Sequence, residues 1–146
     1  MTTQCNGRIE RPLAWTLLLV LCTLASGCKS PTPAEQMQTI LSWMSTADMA
    51  AQAWVNHTTP EKYTRQTLEL SEETIRQTTD DVLKSPLAGV DTSALDSLLV
   101  RSSGRIAQMA RLIEGRNAPD VIRELDSLRV EKSEVKTIAD KLEKSE

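Results

Sequence analysis

Residues 32–57 read TPAEQMQTILSWMSTADMAAQAWVNH, and this stretch decides the predicted fold. It opens with Thr32, Pro33 and, three residues after the threonine, Glu35, which is the pattern of a capped helix start. Apolar residues then recur at the spacing of one helix face: Met37, Ile40, Leu41, Met44, Ala47, Ala51 and Val55. We therefore predict a helix from about Pro33 to His57.

The apolar stripe of this first helix is unusually wide. Trp43, Ala50 and Trp54 extend it onto an adjacent face. Because a helix that is apolar over much of its circumference needs cover on several sides, we expect it to lie at the centre of the fold.

A second helix is predicted from Thr59-Pro60-Glu61 to about Lys84, where Pro86 and Gly89 break the pattern. Its stripe is thin and consists of Leu68, Ile75 and Val82, with Thr64, Ser71 and Thr78 between them. We expect this helix to be the most exposed.

A third helix is predicted to start near Asp91 or Ser93 and to run to Glu114, with Gly115 as its left-handed stop. Its stripe contains Leu95, Leu98, Leu99, Ile106, Met109, Leu112 and Ile113.

A fourth helix is predicted to start at Asn117-Ala118-Pro119-Asp120 and to extend to about Lys144. Its apolar residues form a seam typical of a coiled coil, interrupted at Lys132. The seam consists of Val121, Leu125, Leu128, Val135, Ala139 and Leu142.

Four helices of similar length with short connections favour antiparallel neighbours. The predicted fold class is therefore all-α, an up-down bundle of about four helices in residues 34–146. The alternative is a pair of helical hairpins that complete their core by dimerising. Few aromatic residues and few β-branched alternations argue against a β-sandwich or a barrel.

The N-terminal segment has the order of an export signal. Arg8 and Arg11 give a positive start, and the apolar run from Leu13 to Leu24 is shorter than the roughly 20 residues that span a bilayer. It is followed by Leu24-Ala25-Ser26-Gly27-Cys28. This sequence resembles the lipobox of bacterial lipoproteins, although Ala25 stands where leucine or valine is commoner.

The resemblance implies cleavage after Gly27 and lipid on Cys28. It divides the chain into a signal peptide (1–27), a lipidated cysteine with a short linker (28–33) and the helical domain (34–146). It also implies several acyl chains such as palmitate, which give stable anchoring. Lys29 in place of aspartate implies the outer membrane, with the domain facing the periplasm.

The mature chain would keep one of the three cysteines, since Cys5 and Cys22 lie in the signal. An internal disulfide and a cysteine-rich metal site are then excluded. The net charge of −3 is a poor match to nucleic acid. No phosphate-binding loop, metal-spaced histidine set or nucleophile motif occurs, so we predict neither a cofactor nor enzymatic activity.

The candidate reactive groups have plainer explanations. His57, the single histidine, lies at a predicted turn, and helical methionines are more often core residues than haem ligands. The acidic residues of the second helix fit a solvated face, and a Glu-x-x-His pair is missing from the sequence.

Two groups of residues are candidates for a partner surface. Trp43 and Trp54 would form one if the bundle leaves their side of the first helix open, although core positions for both are the plainer interpretation. Arg101 and Arg105 share a helix face and could meet anionic headgroups or an acidic partner, with pairing inside the bundle as the alternative.

The sequence thus leads to a non-enzymatic envelope lipoprotein that binds a protein partner through a helical surface, or that forms homo-oligomers. The alternative hypothesis is a carrier of lipid, haem or metal with a pocket between the helices.

Overall fold

A computed structural model describes residues 30–87 and 89–144 of the chain. The described residues form four helices: α1 (Pro33–Val55), α2 (Glu61–Leu83), α3 (Thr92–Glu114) and α4 (Ala118–Glu143). The all-α prediction is confirmed, and each observed end lies within a few residues of the predicted one. The proposed signal peptide and Cys28 lie outside the described residues.

Three of the helix starts are capped by the side chains that the sequence indicates. Thr32 and Glu35 form a reciprocal capping box, in which the amide of Thr32 donates to Glu35 Oε2 at 2.8 Å. Asp91 accepts from the amides of Ser93 and Ala94 at the start of α3. At the start of α4, the amide of Asp120 donates to the side chain of Asn117. Each cap satisfies backbone donors that have no partner within the helix.

The helices pack as an up-down bundle. α1 lies against α2 and α4, and α3 lies against the same two helices, so the four form a ring. Because the number of helices is even, α1 begins and α4 ends at the same end of the bundle. We call this the anchor end, since the predicted linker leads into Pro33 there.

One hydrophobic core runs along the axis of this ring. Its largest fully buried side chains come from all four helices: Met37, Ile40, Met44, Leu68, Ile75, Leu95, Leu99, Ile106, Met109, Ile113, Leu125 and Leu128. Apolar area removed from water stabilises a fold by about 25 cal/mol per Å². Packing between the helices therefore accounts for the fold without a disulfide.

α2 contributes the thinnest part of the core, as predicted. Its buried apolar residues are Leu68, Ile75 and Val82, and its buried polar residues are Thr64, Ser71 and Thr79. Thr79 takes the place predicted for Thr78, because the helix turns by 100° per residue and its buried stripe drifts from a strict seven-residue repeat. The buried hydroxyl of Thr79 donates to the carbonyl of Ile75 at 2.8 Å.

The seam of α4 also differs from the prediction at one point. Between Leu128 and Val135, the position that faces the core region is occupied by buried Glu131, while Lys132 is only partly exposed at its side. The interruption predicted at Lys132 is therefore shared by two consecutive charged residues, which point towards different neighbouring helices.

The two turns at the end opposite the anchor contain left-handed residues. His57 has φ 57° and Arg116 has φ 53°, whereas Gly115 has φ −77°. The prediction of Gly115 as the left-handed stop is therefore wrong by one residue. The amides of Gly115 and Arg116 still bond the last turn of α3, which ends the helix before the chain reverses at Arg116.

Candidate functional site

Arg101 and Arg105 lie on the side of α3 that packs against α4. Nε of Arg101 donates to Glu131 Oε1 at 2.8 Å, and Nη2 of Arg105 donates to the same oxygen at 3.0 Å. The hydroxyl of Ser102 donates to the other oxygen at 2.9 Å, and Arg105 also pairs with Glu124. Both arginines therefore pair with acidic residues of the bundle itself, although 54% of the Arg101 side chain stays exposed. This is the arrangement that the sequence left as the alternative to an anionic partner.

Glu131 is the centre of this network, with 4% of its surface exposed. Burial by itself would raise the pKa of its carboxyl group, but hydrogen bonds from Arg105, Ser102 and Arg101 outweigh it, and the pKa is lowered. The same contacts raise the pKa of Arg105. The carboxylate therefore remains charged at neutral pH and ties α3 to α4. Its sequence signal was weak, because a glutamate beside a lysine usually marks a solvated surface.

Asp48 forms a second charged contact between helices, in this case between α1 and α4. It accepts from Lys132 Nζ at 2.9 Å, and Nη2 of Arg129 lies 3.0 Å from its Oδ1. Burial opposes ionisation of Asp48, but the hydrogen bonds and charges of Lys132 and Arg129 outweigh it and lower the pKa of the carboxyl group.

The α2–α3 seam is also charged, since Arg65 pairs with Glu114 at 3.1 Å and Arg116 with Glu61 at 3.4 Å. In the part of the chain that the structure describes, no ion pair joins α1 to α2. Three seams of the ring are therefore linked by charges and the α1–α2 seam is not.

Trp43 and Trp54 lie on this uncharged side. Each is half-buried and packs against the core. At 100° per residue they are roughly 120–140° around α1 from Asp48, which faces α4. Since α1 packs only against α2 and α4, the two tryptophans lie on its α2 flank. Their outer edges remain accessible there.

The surface around these tryptophans carries no charged side chain. Between Gln36 and Asn56, Asp48 is the only acidic or basic residue, and it is turned towards α4. On α2, the charged Arg65 marks the α3 side, and the opposite flank from Tyr63 to Thr78 is uncharged.

We call this surface the uncharged face. It consists of Thr39, Ser42, Trp43, Thr46 and Trp54 of α1, and of Tyr63, Thr67, Leu70, Thr74 and Thr78 of α2. Tyr63 is 62% exposed and Leu70 55%. Protein interfaces are depleted of charge at their centre and enriched in tryptophan and tyrosine. The composition of the face therefore resembles an interface more than a solvated surface.

The hydroxyl groups of this face are already hydrogen-bonded within their own helices. Thr46 donates to the carbonyl of Ser42 at 3.0 Å, Thr67 to that of Tyr63 at 3.0 Å, and Thr74 to that of Leu70 at 2.8 Å. A buried polar group is costly chiefly when it lacks a partner. Covering these threonines would therefore leave no hydroxyl hydrogen unsatisfied.

Surface grooves follow the seams of α4. One, of about 460 Å³, lies between α1 and α4 near the end of α1 and is lined by Asp48, Met49, Ala53 and Arg129. A second, of about 420 Å³, lies further along the same seam and is lined by Leu41 and by the cations Arg129, Lys132 and Lys136. Another, of about 400 Å³, lies between α3 and α4 at the anchor end. It is lined in part by apolar Val90, Leu95, Leu98 and Ile138.

His57 lies in the exposed turn after α1, as predicted, and has no acidic or nucleophilic side chain bonded to it among the described contacts. Within residues 30–87 and 89–144, no three histidine, cysteine or acidic side chains gather closely enough to hold a metal ion. In the same residues, no helix combines the length and apolar character that crossing a bilayer requires.

Comparisons of the chain with protein families, with curated proteins and with solved structures find no match.

Proposed function

We propose that this protein is an envelope lipoprotein, held to the membrane by lipid on Cys28, whose bundle binds a protein partner through the uncharged face. In this proposal the protein is not an enzyme. It acts as a structural or accessory component at the membrane surface, facing the periplasm from the outer membrane.

The anchoring part of the proposal is supported by the sequence before the bundle. Arg8 and Arg11, the apolar run and the Leu24–Cys28 lipobox follow one another in the order and spacing of a lipoprotein signal. Only residues 29–32 separate Cys28 from the first helix. A linker of that length reaches on the order of 15 Å. The bundle would therefore stay close to the membrane.

The binding part of the proposal is supported by the uncharged face, and this is the single observation that carries it. The chain is 25% charged, yet this face has no charged residue along most of two adjacent helices. It retains two half-buried tryptophans and the exposed side chains of Tyr63 and Leu70. Arg101 and Arg105, the second predicted partner surface, already have partners within the bundle.

The apolar groove at the anchor end favours the alternative function, a small-ligand carrier. Val90, Leu98 and Ile138 would contact an acyl chain or another apolar ligand. We expect protein purified from its membrane to be colourless and free of metal and co-purified lipid other than that on Cys28. A bound chromophore or a stoichiometric free lipid would favour the carrier instead.

Anchoring is tested by expressing the full chain in bacteria with an alkyne-labelled palmitate. We expect label in the wild type, none in Cys28→Ser, and a mature N-terminus at Cys28 by mass spectrometry. A free sulfur at Cys28, or residues 1–27 still attached, would contradict the proposal.

Binding is tested by photocrosslinking from position 46, on the uncharged face, in intact cells. We expect a discrete crosslinked protein band. Crosslinking from position 137, on the outer side of α4, is the control and should give none.

A further inference from the structure

We propose that the partner of the uncharged face is the same face of a second copy of this chain, so that two bundles form a symmetric dimer. The inference deepens the proposed function, because it rests on that face being an interface and names what covers it.

Charge is the first argument for a second copy. A twofold dimer places one surface patch against itself, so every charge in the patch brings its equivalent into the same interface. The uncharged face avoids this repulsion, because Asp48 is turned into the α1–α4 seam. A strongly acidic or basic partner, by contrast, would find no countercharge on Trp43, Tyr63 or Leu70.

The size of the face is the second argument. On α1 the uncharged face runs from Thr39 to Trp54, and these 16 residues at 1.5 Å per residue are about 24 Å long. Two adjacent helices are roughly 20 Å wide, given helix diameters of about 10–12 Å and axes about 8–10 Å apart. The face therefore offers roughly 500 Å² per copy, or roughly 1,000 Å² in total, which is about the total area that a specific protein interface should bury.

The cost of covering the face is the third argument. Its threonine hydroxyls already donate to carbonyls of their own helices, as at Thr67 and Thr74. Dimerisation would therefore bury their methyl groups without breaking those hydrogen bonds. The half-buried tryptophans would lose only their remaining water contact, with few rotamers to freeze.

The anchor fixes the direction of the dimer axis. Two chains tethered to one membrane through residues 28–32 must both have Pro33 at the membrane side. The twofold axis then runs along the bundles, and equivalent residues of the two copies lie at the same height. α1 of one copy packs on α2 of the other, and residues in the α1–α2 seam lie nearest to the axis.

This geometry is tested by cysteine crosslinking of the full chain in its membrane. We expect Thr67→Cys and Thr74→Cys to give a band of twice the monomer mass with a short bifunctional maleimide. Thr137→Cys is the control, since Thr137 likewise donates to the carbonyl four residues earlier, at 3.0 Å, and is more exposed than the half-buried Thr67 and Thr74. It should give no dimer.

A charge placed on the face should dissociate the dimer without unfolding the chain. Tyr63 is 62% exposed and Leu70 55%, so lysine at either position is tolerated by the bundle. We expect Tyr63→Lys or Leu70→Lys to weaken dimerisation roughly 100-fold, measured by sedimentation of the detergent-solubilised full chain. Val130→Lys on α4, where Val130 is 61% exposed, is the control and should sediment as the wild type does.

A chain that sediments as a monomer at about 100 µM would overturn the dimer, as would equal crosslinking from Thr74→Cys and Thr137→Cys. Crosslinks from the face to a protein of another mass, with no doubled band, would overturn the dimer and leave the proposed function standing. A dimer without lipid on Cys28 would support the inference and contradict the proposed anchoring.

Discussion

Arg105 and Glu131 are joined across the α3–α4 seam by two hydrogen bonds to one oxygen, from Nε at 3.3 Å and from Nη2 at 3.0 Å to Oε1. Arg105 contacts Glu124 as well, and Arg101 lies near Glu134. Each arginine therefore has a second acidic neighbour when Glu131 is removed.

We predict that Glu131→Ala lowers the free energy of unfolding by about 2–3 kcal/mol, because charged hydrogen bonds and packing at a buried position are lost together. Glu131→Leu should cost less, since leucine fills the seam between Leu128 and Val135. Urea denaturation measures both. Glu134→Ala, at a side chain 55% exposed, is the control and should change stability by under about 0.5 kcal/mol. An equally destabilised Glu134→Ala would contradict the central role of Glu131.

Acid should destabilise the bundle through Glu131 and Asp48. The pKa of each carboxyl group is lowered in the folded chain, from ordinary values of 4.5 and 3.8. The unfolded chain therefore takes up protons first as the pH falls, and stability present above those values is lost progressively below about pH 5. We predict that Glu131→Gln and Asp48→Asn flatten the fall in unfolding free energy between about pH 5 and 2. An unchanged slope in both variants would contradict this assignment.

Asp48 should contribute more to stability than Asp126, although both contact Arg129. The side chain of Asp48 is 16% exposed and bridges α1 to α4, whereas that of Asp126 is 68% exposed and lies on the same helix as Arg129. We predict a loss of about 1–2 kcal/mol for Asp48→Ala and under about 0.5 kcal/mol for Asp126→Ala, by chemical denaturation. A double-mutant cycle with Lys132→Ala would show a coupling energy for Asp48 and none for Asp126.

Leu68 and Leu70 are two residues apart on α2, and their replacement by alanine should affect the stability of the fold very differently. Leu68 is fully buried, so we predict that Leu68→Ala lowers the free energy of unfolding by about 2–5 kcal/mol. Leu70→Ala should leave the stability of the monomer within about 0.5 kcal/mol, because the side chain is 55% exposed. If chemical denaturation showed that both variants lose a comparable free energy of unfolding, Leu70 would belong to the core, which would contradict the uncharged face.

We predict that replacing Arg116 with glycine stabilises the fold. Its φ of 53° is unfavourable for an L residue, and its ion pair with Glu61 is weak because 83% of the arginine side chain is exposed. Arg116→Gly should therefore raise the free energy of unfolding by about 0.5–1 kcal/mol. Gly115→Ala, at φ −77°, is the comparison and should show no such gain from relieved strain. A thermal denaturation series detects the difference.

The helices could be predicted from the sequence because their signals are local. The capping box at Thr32 and Glu35, the cap at Asp91 and the apolar spacing each act within a few residues. The left-handed residue is predicted at Gly115 but lies at Arg116, because glycine marks the region of a helix stop and not the exact residue. The amides of Arg116 and Asn117 donate to the carbonyls of Ile113 and Leu112, and this local closure of the last turn holds Arg116 in the left-handed conformation.

The contacts between helices could not be predicted in the same way. Arg101 and Arg105 were recognised as sharing a face, but their partner Glu131 lies 30 and 26 residues away, and only the register of α3 against α4 brings it near. The uncharged face did have a sequence signal, the isolation of Asp48 between Gln36 and Asn56. Its continuation across α2 depends on which flank of that helix meets α1.

The even number of helices has a practical consequence for experiments on the living cell. Because α4 finishes beside the start of α1, a fluorescent protein fused after Glu146 would, under the proposed anchoring, be attached near the lipid and compete with it for space. The turns at His57 and Arg116 are about 35 Å away, at a distance of one helix length. A short epitope inserted in either turn would then lie far from the proposed tether and leave it unobstructed.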